Sequence, residues 1–144
     1  MALHLYKLAT SRDFAFFTAI TETSGWRESM SSILVIEDEK GIQNVLEAVL
    51  NLHGHCVTTV ADGKEGIQKF DDGNFDMVIT DVVMPDVGGL GVLQHIRGSS
   101  RHRVPIIGMS GTPWLMNGSD FDMVLAKPFP LQKLIDSVRN LTRV

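Results

Sequence analysis

Four apolar runs in this chain stop on a residue that can do chemistry. Ile33–Ile36 is followed by Glu37 and Asp38, Met77–Thr80 by Asp81, the run ending at Met109 by Ser110, and Met123–Ala126 by Lys127. Crowded carboxylates repel one another and call for a counter-charge. Oxygen ligands without histidine or cysteine suit a hard cation. Mg2+ commonly takes one or two carboxylates, keeps waters and draws its remaining ligands from phosphate oxygens. Lysine adds a point charge for a phosphoryl oxygen, serine a hydroxyl donor, and an aspartate can act as a nucleophile that becomes an acyl phosphate. Such a set describes a phosphoryl acceptor, in which positioning and charge neutralisation supply most of the catalysis. Each residue also has a plainer reading. Asp81 can open a turn, Glu37–Glu39 can be a solvated helix start, Lys127 a surface lysine, and Ser110–Gly111 a turn. That all four hold at successive strand ends is the less economical account.

The elements that must position these residues alternate in type. Ile33–Ile36 reads as a buried strand, rich in β-branched residues. Ile42, Val45, Leu46, Val49, Leu50 and Leu52 then recur at helical spacing, and Gly54 reads as the helix stop. His55–Val60 reads as a second strand. Asp62 caps a short helix with Ile67 and Phe70 inward. The stretch FDMVITDVVMPDVGGL reads as a central strand, Asp81, a turn on Pro85, Gly88 and Gly89, and a helix marked by Leu90, Val92, Leu93 and Ile96. Val104–Met109 and Met123–Ala126 read as the fourth and fifth strands. Leu131, Leu134, Ile135, Val138 and Leu141 mark the last helix. This alternation predicts an α/β fold, a parallel sheet with helices on both faces. Chemistry in such folds sits at the carboxyl ends of the strands, so Glu37, Asp38, Asp81, Ser110 and Lys127 converge on one edge.

Composition sets the bounds. A chain of 144 residues suits one compact domain, and 44% hydrophobic with 21% charged residues is ordinary for a globular protein. A formal charge of −4 speaks against a direct nucleic-acid footprint, which is normally basic. No apolar run approaches the roughly eighteen residues of a membrane span. The single cysteine, Cys56, allows no internal disulfide and fits a reducing cytoplasm. His53, His55 and Cys56 sit together, but a helix-to-strand junction with a half-buried thiol is the expectation rather than a metal site. Residues 1–32 differ in character and read as an extension or linker, helical or disordered, with Met30 a natural alternative start. Trp26 and Trp114 are packing or partner residues, undivided at this level.

The pieces ILVIEDE, ADGKEGI, DMVITDVVMPDVGGLGVLQHIR, VPIIGMSG and LAKPF stand in an order and at a spacing that resemble the receiver domain of two-component response regulators. The resemblance covers residues 33–144. It implies a flavodoxin-like, doubly wound five-stranded sheet of order 2-1-3-4-5, with Asp81 as the phosphorylated aspartate. It further implies that Glu37 and Asp38 hold Mg2+, Asp38 directly and Glu37 through water, and that the backbone carbonyl of Val83 joins them. Ser110 matches the switch hydroxyl, Lys127 the phosphate-contacting lysine, and Lys127–Pro128 a cis peptide bond. The implied partner is a histidine kinase or histidine phosphotransfer protein, with an unknown output protein. The chain would catalyse only its own phosphorylation and dephosphorylation, as a single receiver with no DNA-binding or enzymatic domain after Val144.

Two departures from the family pattern matter. The link from Ser110 to Lys127 is shorter than usual, and TPWLMNGSDFDM carries Pro113, Asn117 and Gly118, which break helices. The family's fourth helix is therefore expected to be missing or reduced to about one turn. Val124 stands where the family often has an aromatic residue coupled to the hydroxyl. These departures leave room for a second reading, a pseudo-receiver that binds partners without switching. A third, an aspartate-nucleophile phosphatase, wants an acid two residues after the nucleophile, where this chain has Val83.

Overall fold

A computed structural model describes residues 30–142. The expectations for residues 1–29, Trp26 among them, lie outside the described residues. The strands are β1 (Ser32–Ile36), β2 (Cys56–Val60), β3 (Met77–Asp81), β4 (Ile106–Ser110) and β5 (Met123–Ala126). Among the described residues the helices are α1 (Lys40–Leu52), α2 (Gly63–Asp72), α3 (Gly89–Arg97) and α4 (Leu131–Thr142), with one 3-10 turn at Pro113–Met116. All pairings are parallel and the strand order is β2-β1-β3-β4-β5. This is the flavodoxin-like order, whose topological switch point lies between β1 and β3.

Central strands buried on both faces read as unbroken apolar runs, and β3 and β4 are buried throughout. Alternate residues feed two cores. One face packs Ile33, Val35, Met77, Ile79, Ile107, Met109 and Leu125 against Ile42, Leu46 and Leu50 of α1 and Leu134 and Val138 of α4. The other packs Leu34, Ile36, Val78 and Ile106 against Phe70 of α2 and Val92, Leu93 and Ile96 of α3. Leu90, expected inward, is 42% exposed instead. It stands one step off the buried stripe of α3. No helix among the described residues is long and apolar enough to cross a membrane.

Element ends follow local chemistry. Asp62 accepts a hydrogen bond from the Glu65 N–H at 2.7 Å, capping α2. Past the end of α1, Gly54 takes φ +86°, the left-handed conformation that glycine adopts without a Cβ penalty. β2 begins at Cys56 rather than His55, because the His55 N–H closes α1 on the Leu50 carbonyl at 3.1 Å. Cys56 is exposed at that end, not half-buried. β4 begins two residues later than expected. Val104 closes a turn on the Arg101 carbonyl, and Pro105 has no N–H to give the ladder. The link after β4 contains the single turn expected of it. Pro113 opens the turn and Gly118, at φ +78°, lies just beyond its end. Its Trp114 and Leu115 are 63% and 67% exposed, so Trp114 is not a core residue.

Candidate functional site

Every residue singled out for chemistry lies at the carboxyl edge of the sheet. Glu37 and Asp38 follow β1, Asp81 ends β3, Ser110 ends β4, and Lys127 follows β5. The β4–β5 pairing runs on past the strands, with the Lys127 N–H donating to the Ser110 carbonyl at 2.8 Å. Lys127–Pro128 is cis. Val83 sits in the loop after β3 with its side chain exposed. The turn after Asp81 differs in one respect from the reading built on its glycines. Asp86 is the residue with positive φ, at +63°. Gly89 serves close approach instead: a Cβ there would lie 2.5 Å from the Asp81 carbonyl oxygen.

Oxygens of Glu37, Asp38 and Asp81 all lie within 4.8 Å of one another. Lys127 Nζ is 3.0 Å from Asp81 Oδ2 and 3.8 Å from Glu37 Oε2. Glu37 and Asp81 are buried and Asp38 is exposed. Glu37 Oε1 accepts the Glu39 N–H at 3.1 Å, while its buried Oε2 has no hydrogen-bond partner. Burial, and after it the negative charge of Asp81, push the Glu37 carboxyl up to about 7, against the lowering pull of Lys127. Ser110 is buried, and its Oγ accepts the Thr112 N–H at 3.0 Å. A buried carboxylate oxygen without a hydrogen-bond partner, beside two further carboxylates and with one lysine among the three, leaves the cluster short of positive charge. The all-oxygen donor set fits a hard divalent cation.

Sequence reasoning missed Gln43. Its buried side-chain amide donates from Nε2 to the carbonyls of Glu37, at 3.2 Å, and Val60, at 3.0 Å. The available signal was a polar residue on the inward face of α1, next to Ile42.

Residues 33–139 match the family model of the response regulator receiver domain. The chain belongs to the response regulator receiver family. It is 36% identical over 124 residues to the transcriptional regulatory protein TcrA of Mycobacterium tuberculosis, covering 81% of this chain and 48% of that protein. It spans about half the length of the curated relatives it matches. Among solved structures, the receiver domain of the sensor histidine kinase PA1611 from Pseudomonas aeruginosa, with a magnesium ion coordinated in its active-site cleft, is 28% identical. Its TM-score is 0.72, covering 79% of this chain and 98% of that one. The response regulator TrrA of Thermotoga maritima, in complex with Mg2+-BeF, is 31% identical. Its TM-score is 0.71, covering 78% of this receiver and 99% of that chain.

Proposed function

We propose that this receiver domain accepts a phosphoryl group on Asp81 from a partner histidine kinase or histidine phosphotransfer protein. The observation that carries the reading is the Lys127 ammonium 3.0 Å from the Asp81 carboxylate, inside a cluster of carboxylates short of positive charge. Asp38, Asp81 and the Val83 carbonyl would hold Mg2+, with Glu37 alongside. A cation there would neutralise the carboxylates and draw phosphoryl oxygens toward Asp81. An Asp81 carboxylate oxygen attacks phosphorus in line with the departing imidazole nitrogen. The P–O bond of an acyl phosphate forms, the P–N bond breaks, and its electron pair returns to the imidazole. Lys127 meets the charge that accumulates on the transferred oxygens. Ser110 donates a hydrogen bond from its hydroxyl to one of them. The phosphoryl group of the product carries about −1.5 to −2 charges, in place of the single charge of the Asp81 carboxylate. The new contacts of Ser110 and Lys127 bias the adjoining loops, because they differ between the two states.

On this reading the chain turns over no external substrate beyond its own phosphorylation and dephosphorylation, and it works in the cytoplasm, where its phosphodonor is made. The output is a protein contact or onward relay of the phosphoryl group. The lack of an α-helix between β4 and β5, together with Val124, favours a non-switching interaction module instead. Against that module stands the complete set of Glu37, Asp38, Asp81, Ser110 and Lys127 at one edge.

The test is incubation with a small phosphodonor and Mg2+, followed by mass spectrometry. Wild type is expected to gain one hydroxylamine-labile phosphoryl adduct, and Asp81→Asn none. A wild-type chain left unmodified rejects the proposal.

A further inference from the structure

We propose that Gln43 is a positioning residue that sets the geometry of Asp38 for divalent-cation binding, an inference that rests on the function proposed above. Gln43 is 4% exposed on the inward face of α1, between the core and the β1–α1 turn. Burying an amide is costly unless its donors are paired, and here both pairings are to backbone carbonyls at the ends of β1 and β2. The Gln43 side chain donates to the Glu37 carbonyl at 3.2 Å. The Gln43 backbone N–H donates to the Glu39 carbonyl at 3.0 Å. One residue thus bonds the carbonyls of both neighbours of Asp38, the Glu37 carbonyl through its side chain and the Glu39 carbonyl through the first backbone bond of α1.

The same Nε2 donates to the Val60 carbonyl at 3.0 Å, and that carbonyl also accepts the Glu37 N–H at 3.1 Å. The turn that carries the acidic pair is therefore tied to the end of β2 as well as to α1. Lys40 Nζ donates to Gln43 Oε1 at 2.9 Å, which orients the amide with its NH2 toward the two carbonyls. Asp38 is exposed, so packing against neighbours does not hold it. The peptide unit that leads into it, through the Glu37 carbonyl, is held by the Gln43 side chain. Supporting hydrogen bonds of this kind commonly change metal affinity when removed.

Methionine at position 43 keeps the length and volume of the side chain and removes both donors. Calorimetric titration of the full chain with MgCl2 at pH 8 is the direct measurement. Gln43→Met is expected to weaken Mg2+ binding about tenfold. Ile42→Val, a packing change on the same helix that leaves the clamp intact, is expected to stay within about twofold of wild type. With a small phosphodonor, the Mg2+ concentration for half-maximal modification of Gln43→Met should rise by the same factor. Its rate at saturating Mg2+ should return close to the wild-type value. If Gln43→Met does not fold, Gln43→Asn, whose amide is one methylene too short to reach both carbonyls, carries the test with the same expected direction. Wild-type Mg2+ affinity in whichever variant folds overturns this inference alone and leaves the proposed function standing. A wild-type chain that takes up no Mg2+ overturns both.

Discussion

Lys127 and a divalent cation answer the same need, which makes their effects separable. The ammonium lies 3.0 Å from Asp81 Oδ2 and 3.8 Å from Glu37 Oε2 and already offsets part of the negative charge at the edge of the sheet. Its removal leaves the carboxylates closer to unopposed, so a cation binds more strongly. Yet the phosphoryl oxygens lose the charge that receives them. Lys127→Met is therefore expected to bind Mg2+ about fivefold more tightly at pH 8, on the scale of one nearby charge in a partly screened site. Its phosphorylation by a small donor should slow by on the order of a hundredfold, as when one transition-state charge partner is lost. Calorimetry and mass spectrometry on one sample read both. Weaker Mg2+ binding in Lys127→Met would mean that the lysine braces the cluster rather than competing with the cation. Position 81 itself differs from position 86 in a way residue type does not reveal. Both are aspartates in the same stretch, but Asp81 ends a buried strand while Asp86 takes the positive φ of the turn.

At the scale of elements, the short link between β4 and β5 is held by an anchor at the opposite edge of the sheet. Arg97, at the end of α3, donates to the carbonyls of His102 at 2.6 Å, Val104 at 2.9 Å and Asp120 at 2.8 and 3.1 Å. It also donates to Asp122 Oδ2 at 2.7 Å. The same Asp122 oxygen accepts the Ile106 N–H at 2.7 Å, which ties the link to the start of β4. Phe121 is thereby laid over Gly108, where a Cβ would come within 3.1 Å of its ring. This ring covers part of the sheet where no α-helix stands between β4 and β5. Arg97→Met should cost about 2 kcal/mol by urea unfolding, since it strands several acceptors at once, while phosphorylation of Asp81 proceeds at the wild-type rate. A loss under about 0.5 kcal/mol, the scale of an ordinary surface change, would show that the link holds without the anchor. The sequence makes the strands and the acidic edge legible because each is a local signal: an unbroken apolar run, then a polar residue, repeated in a parallel topology. Pro113, Asn117 and Gly118 make the missing helix legible for the same reason. The partners of Arg97 and Gln43 are polar residues and backbone carbonyls brought together only by the fold, and no period or motif marks them. Leu90 fails in the other direction, an apolar residue near a helical stripe that the packing leaves outside.

For the whole molecule, the site is a destabilising feature that cation binding relieves. Without metal, the Glu37 carboxyl in the folded chain titrates near 7, raised by burial and by Asp81 from an ordinary value of 4.5. Between these values the folded state holds a proton that the unfolded state has released, so stability falls as pH rises. The contribution is fully present below 4.5 and lost above about 7. A shift of this size corresponds to on the order of 3 kcal/mol. Urea unfolding in EDTA across pH 5 to 8 should show that decline in wild type, and Glu37→Gln, which has no carboxyl to ionise, should lack this part of it. The difference between the two curves isolates Glu37 from the other titrating groups. Added Mg2+ binds the folded state at the deprotonated cluster and stabilises it by mass action, so its effect should be largest at pH 8 and shrink toward pH 5. Parallel wild-type and Glu37→Gln curves in EDTA would mean that Glu37 stays ionised in the folded chain, with Lys127 outweighing its burial.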